Sequence, residues 1–295
     1  MARIAIVGVG AIGGSVAALL QSSGQHELVL CVRRQIRQLV VEQASGEMKI
    51  NAAILTQPTE AKPVDWVLIA TKAYDAASTA LWLDPLCSGG APVAVLQNGV
   101  EHRERFAPYI AKEHIVPVIV DCPAERKPSQ DGVDRIVQRG PMSLRAPNTG
   151  FGRDFVSLFA GTAADAAAVD DWTTVAWRKL CHNAVGAIPA LLLQPAGVLH
   201  SEALGAVALD MVREVVAVGR AEGANLPDSM PLDVLAAYRR SAPDSINSLH
   251  ADRLAGRPME ISARNGAVVR KGQMHGIATP ANAMAVALLE ALAAK

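Results

Sequence analysis

Short unbroken apolar runs alternate with stretches of helical spacing over the first third of this chain. Residues 3–7, 27–32, 64–70 and 92–96 read as strands, and the stretches between them, such as 34–43 and 74–83, read as helices. That alternation predicts a parallel sheet with crossover helices. Beyond residue 96 the pattern loosens. Residues 114–120, 135–138 and 142–144 read as further strands, with turn signals at Asp131-Gly132 and Gly140-Pro141, and a last α/β unit covers 151–169. From residue 171 strand signals nearly vanish. Leu204, Val207, Met211, Val215 and Val218 recur at spacings of three and four, placing one apolar stripe on a helix over 201–222 that stops at Gly223 and Pro227. Further helices are predicted at 232–240, 245–255, 260–275 with Gly276 as C-cap, and 280–294 with Pro280 at its first position. The expected architecture is an α/β, Rossmann-type nucleotide-binding domain over residues 1–170, followed by an all-helical domain over 171–295. A site is expected in the cleft between them.

The first strand, Arg3-Ile4-Ala5-Ile6-Val7, runs straight into Gly8-Val9-Gly10-Ala11-Ile12-Gly13-Gly14. A G-x-G-x-x-G spacing between an apolar strand and a helix is what a dinucleotide needs. Gly8 makes the tight turn, Gly10 lets a pyrophosphate approach the backbone, and Gly13 lets the helix pack on the strand. A helical run over 12–22 follows, and its N-terminus offers free N–H groups to the phosphates. The second strand ends in Arg33-Arg34 with no acid for a ribose hydroxyl, so a 2′-phosphate and hence NADPH is favoured, although two solvated arginines would look the same. Lys72 leaves the sheet near the cofactor phosphates or the substrate, or is an ordinary surface lysine. Asn98 lies in an Asn-Gly turn and can also place an amide at the nicotinamide end.

Chemistry in the helical half centres on Lys179 and Asn183, four residues apart and so on one helix face. A partly desolvated lysine beside an amide can bind and protonate a carbonyl oxygen; a solvated lysine and a surface asparagine fit the spacing equally. Ser248 and Asp252 form another such pair. Glu260 opens the next helix, where an acid complements the helix dipole. His102, His182 and His275 lack metal-ligand spacing and are read as structural or solvent-facing, so no metal site is expected.

Bulk properties narrow the class. The chain has 295 residues, 51% of them hydrophobic and 19% charged, with 28 basic and 28 acidic side chains. That length suits two domains, and the balanced charge gives no pull toward nucleic acid or an anionic membrane. Four scattered cysteines form no C-x-x-C pair, which fits free thiols in a reducing compartment. No apolar stretch suits a bilayer and no signal peptide precedes the first strand, so a cytoplasmic protein is expected.

Taken in order, Gly8-Val9-Gly10-Ala11-Ile12-Gly13-Gly14, Arg33, Thr71-Lys72-Ala73, Gln97-Asn98-Gly99, Trp177-Arg178-Lys179-Leu180 with Asn183, then Ser248, Asp252-Arg253, Glu260, Asn265-Gly266, His275-Gly276 and Thr279-Pro280 resemble the ketopantoate reductase family over essentially the whole chain. The resemblance implies NADPH-dependent reduction of a small 2-keto acid, 2-dehydropantoate (ketopantoate), in pantothenate biosynthesis. It implies that Gly8, Gly10, Ala11, Ile12 and Gly13 hold the pyrophosphate, that Arg33 faces the 2′-phosphate, and that Lys72 and Asn98 lie near the cofactor. It further implies Lys179 as general acid, Glu260 as a polar partner to substrate or lysine, and Asn98, Asn183 and Ser248 as substrate contacts. The family carries a second asparagine one turn beyond Asn183; this chain has Ala187 there. That departure leaves room for another branched or aromatic 2-keto acid. A cofactor-binding sensor without turnover is the alternative from another class. The apolar helices allow a homodimer interface.

Overall fold

A computed structural model describes residues 1–293 and divides into two compact units: Met1–Asn98 with His102–Trp172, and Gly99–Glu101 with residues 173 onward. In the first unit, β1 (Ala2–Val7) leads into the helix Ala11–Ser22 and then β2 (His26–Cys31). Next come the hairpin strands β3 (Gln38–Gln43) and β4 (Gly46–Lys49), followed by β5 (Ala53–Leu55), β6 (Trp66–Ile69), β7 (Val93–Val95) and β8 (Ile115–Pro117). Strands β9 (Ile119–Asp121), β10 (Ala124–Arg126), β11 (Val133–Gln138), β12 (Ser143–Pro147) and β13 (Asp165–Val169) complete the unit.

Six strands form the main sheet in the order β5-β2-β1-β6-β7-β8, every neighbouring pair parallel. This is the doubly wound dinucleotide-binding order, in which the chain reverses direction of travel at β1 and β6. Alternate side chains enter two cores. Ile4, Ile6, Leu28, Leu30 and Leu68 pack with Val16, Leu19 and Leu20 of the first helix, whereas Ala5, Val7, Val29, Val67 and Ile69 pack with Leu83, Leu86 and Phe106. Burial on both faces is why these strands read as unbroken apolar runs. Two smaller sheets, β10-β11-β3-β4 and β13-β12-β9, complete the first unit.

Two expectations are corrected. Residues 34–43 are not a helix: β3 occupies Gln38–Gln43, pairing parallel to β11 and antiparallel to β4. Leu39, Val40 and Val41 form a short apolar run whose period is ambiguous, and strand partners elsewhere in the chain settled it. The stretch 74–83 likewise breaks into a 3-10 turn at Ala73–Asp75 and the short helices Ala76–Ala80 and Leu83–Cys87.

The second unit is helical: Trp172–Val185 (its first residue counted with the first unit), Ala187–Leu192, Glu202–Ala221, Met230–Arg240, Ser248–Leu254, Asn265–His275 and Pro280–Ala293. Met211, Val215 and Val218 of the long helix enter one apolar core, with Leu204 and Val207 packed at its margin. The segment Gly99–Glu101 belongs with this unit, a placement the composition did not suggest. The backbone at Gly99 lies so close to Ala263 that a Cβ there would overlap the Ala263 carbonyl oxygen, and Glu101 pairs with Arg270 at 2.5 Å.

The helix expected from residue 260 starts instead at Asn265. The amides of Arg264 and Gly266 both donate to the Ile261 carbonyl, closing a turn over 261–264, and Arg264 has non-helical backbone angles. Glu260 is therefore buried ahead of that turn and does not complement a helix dipole.

Candidate active site

The first unit gathers the predicted cofactor residues at one edge of the sheet. Gly8–Gly13 follow β1, Arg33 follows β2, Lys72 follows β6 and Asn98 follows β7, all at the carboxyl ends of four adjacent strands. Each glycine of the turn has its own reason. Gly8 sits at φ +92°, and a Cβ there would lie 2.6–2.9 Å from Thr71 atoms. A Cβ on Gly13 would overlap the Gly8 carbonyl oxygen, so this glycine sets the helix-to-strand contact. Gly10 differs: a Cβ there would meet nothing within 4 Å. Neither packing nor positive φ requires glycine at that position, which leaves open space beside the backbone. The first intrahelical bond runs from Gly14 N–H to the Gly10 carbonyl at 2.8 Å, so the amides of Ala11, Ile12 and Gly13 precede the helical ladder. Open space flanked by helix N-terminal donors fits a pyrophosphate.

Two residues without an individual role in the sequence reading brace this edge. Gln97 donates through Nε2 to Thr71 Oγ1 at 3.0 Å and to the Lys72 carbonyl at 3.3 Å, and its Oε1 accepts from Arg105 at 2.9 Å. His102 Nε2 lies 2.8 Å from the Gln97 carbonyl and its ring stands edge-on to Trp172, a structural role. The ends of β6 and β7 are thereby tied together behind Lys72 and Asn98.

The two arginines after β2 have separate fates. Arg34 pairs with Asp134, a buried carboxylate that also accepts from Arg126 at 2.6 Å. Arg33 keeps 82% of its side chain exposed and touches Asp75 at 3.3 Å. Only Arg33 stays available to an incoming anion.

In the second unit, Lys179 and Asn183 are half-buried on the helix Trp172–Val185. A helix end leaves carbonyls without intrahelical donors. Here two distant segments supply them, and a third bonds the Gly186 carbonyl just past the helix end. Tyr238 Oη donates to the His182 carbonyl at 2.9 Å, Asn265 Nδ2 to Ala184 at 3.1 Å, and Asn247 Nδ2 to Gly186 at 3.0 Å. Asn247 also caps the helix Ser248–Leu254, its Oδ1 accepting from the amides of Leu249 and His250. Arg264 Nη2 then donates to Ser248 Oγ at 2.6 Å. Asn183 and Ser248 are brought into one neighbourhood by these clamps, and the turn that follows Glu260 joins them. Neither Asn247 nor Arg264 was singled out by the sequence; an asparagine directly before Ser248 is a cap signal that could have found the first.

Ala187 is 0% exposed and belongs to the apolar core. Burial pushes the thiols of Cys31 and Cys181 up to about 12 and that of Cys87 to about 11, which removes them as nucleophiles. No group of His, Cys, Asp and Glu among the described residues could hold a metal ion.

Comparison with known proteins decides the family. Residues 4–145 match the model for ketopantoate reductase PanE/ApbA, and residues 171–293 match the model for its C-terminal region. The chain belongs to the ketopantoate reductase family. A Caulobacter vibrioides protein named 2-dehydropantoate 2-reductase is 49% identical over 293 residues, covering 99% of this chain and 100% of that one. A Mycobacterium tuberculosis protein of the same name is 37% identical, covering 98% and 97%. The crystal structure of 2-dehydropantoate 2-reductase from Geobacter metallireducens superimposes with a TM-score of 0.87 at 28% identity, covering 98% and 99%. Family membership makes this chain an oxidoreductase of the nicotinamide-dependent keto acid reductase kind. Among the described residues no helix is long and apolar enough to cross a membrane.

Proposed function

We propose that this chain reduces 2-dehydropantoate to pantoate with NADPH, a step of pantothenate biosynthesis. The observation that carries the reading is the open position at Gly10, between two sterically required glycines, in a chain aligned end to end with a 2-dehydropantoate 2-reductase. When bound, the nicotinamide supplies the hydride. The backbone of Gly8, Gly10, Ala11, Ile12 and Gly13 would hold the pyrophosphate, with Lys72 near the cofactor and Asn98 toward its nicotinamide end. Arg33 takes the 2′-phosphate. Its exposed pair with Asp75 is of the kind worth little in water, so a dianionic phosphate displaces it at small cost.

Lys179 donates the proton to the keto oxygen. Negative charge grows on that oxygen as the carbonyl is reduced, so a cation within hydrogen-bond reach stabilises the transition state more than the ground state. Asn183 and Ser248, with Asn98, orient the substrate, and Glu260 supplies a buried polar partner to the substrate or to Lys179.

NADPH oxidation across a panel of 2-keto acids tests the reading. Ketopantoate is expected to give the highest kcat/KM, with NADPH preferred over NADH. Cofactor binding with no turnover of any keto acid overturns it in favour of a sensor. Ala187, standing where the family carries a second asparagine, leaves room for a second reading, reduction of another branched or aromatic keto acid. A higher kcat/KM for such an acid than for ketopantoate decides for it.

A further inference from the structure

Arg264 is 3% exposed, yet no carboxylate among the described residues is paired with it. Its side chain makes a single hydrogen bond to the described residues, Nη2 to Ser248 Oγ at 2.6 Å, and its Nε is sealed from solvent without an acceptor. Nearby arginines are treated differently. Arg257 pairs with Asp252 at 2.9 Å, Arg270 with Glu101 at 2.5 Å, and Arg253 donates to the carbonyls of Ala190 and Leu191. The charge of Arg264 acts on the Tyr238 phenol, favouring its ionised form. Burial outweighs that and pushes the phenol up to about 12, so it stays neutral and donates a hydrogen bond to the His182 carbonyl. A guanidinium buried without an anion is costly, and a carboxylate met in fork-to-fork geometry removes that cost.

The surroundings say where such an anion would sit. Ser248, which holds Nη2, is itself exposed. Its neighbour Asn247 is fixed to Gly186, and Asn265, next to Arg264, is fixed to Ala184. Both anchors lie within three residues of Asn183. We propose that Arg264 is the anion-binding residue of the second unit, taking the carboxylate of the 2-keto acid. The assignment rests on the substrate reading above for the identity of the ligand. It leaves Lys179 to the keto oxygen, giving the substrate one cation for each of its two polar ends.

The test compares pantoate, an anion, with pantolactone, its neutral internal ester, by calorimetric titration of the NADP-loaded protein. For Arg264→Gln we expect pantoate binding to weaken about ten- to a hundredfold, the loss typical of a charge-assisted hydrogen bond. Pantolactone affinity should stay unchanged. Arg264→Lys keeps the charge and loses the fork, so it should show a smaller loss of the same selectivity; it also carries the test if the glutamine variant does not fold. Equal weakening of anion and lactone overturns the proposal in favour of a packing role. So does pantoate affinity within threefold of the parent in both variants, or a parent that does not bind pantoate. If the parent binds pantoate through Arg264 but turns over no keto acid, the anion site stands and the proposed activity falls.

Discussion

The glycine turn of the proposed cofactor edge is built from neighbours in sequence, and the proposed substrate residues of the second unit are not. Gly8, Gly10 and Gly13 lie within one turn of chain between a strand and a helix, and each one's environment follows from that turn. Asn183, Ser248 and Arg264 come from three separate segments. They are held together by the amides of Asn265 and Asn247, which donate to the Ala184 and Gly186 carbonyls at and just past the end of the helix Trp172–Val185, and by the bond from Arg264 to Ser248. A local motif tolerates change elsewhere in the chain. A site assembled through caps and clamps depends on residues that never touch substrate.

Substitutions can break or sharpen this contrast. The largest effect is expected at Lys179. Lys179→Ala should lower kcat by about two to four orders of magnitude, the range for a positioned proton donor, with the Kd for NADPH unchanged. A kcat within a few-fold of the parent at saturating substrate removes the general-acid role. Next is Arg33→Ala, expected to raise the KM for NADPH about ten- to a hundredfold while leaving that for NADH nearly constant. Equal changes for both cofactors would show that Arg33 does not read the 2′-phosphate.

A matched pair within the cradle separates packing from ligand space. Gly13→Ala forces a methyl group against the Gly8 carbonyl and should cost about 1–3 kcal/mol of stability, read as a lower Tm. Gly10→Ala has negative φ and empty space, so its Tm should match the parent while its cofactor affinity falls. A Tm loss in both, or in neither, contradicts the division of roles. The smallest effect belongs to the clamp. Asn247→Ala removes a helix cap and the donor to Gly186, at about 0.5–2 kcal/mol. If the second unit's site is assembled by such clamps, KM for the keto acid should rise in this variant although Asn247 is not proposed to contact substrate. An unchanged KM at a reduced Tm would confine Asn247 to stability.

Much of this molecule was legible in the residue pattern. The apolar strands, the glycine turn and the long stripe of Glu202–Ala221 are local signals, because strand burial, tight turns and helix periodicity act over a few residues. Where neighbours along the chain did not decide, the reading failed. Leu39-Val40-Val41 became a strand only because β11 and β4 were there to pair with it. Glu260 lost its place in a helix because the Ile261 carbonyl captured two amides and closed a turn first. Arg264 carries no local signal that sets it apart in the sequence. Its burial and its bond to Ser248 exist only once distant segments meet. The sequence by itself determined the fold class and the glycine turn after the first strand, since both follow from short-range sterics and burial period. Tertiary structure alone decided which polar groups of the helical unit are desolvated, because desolvation depends on what the rest of the chain packs against them.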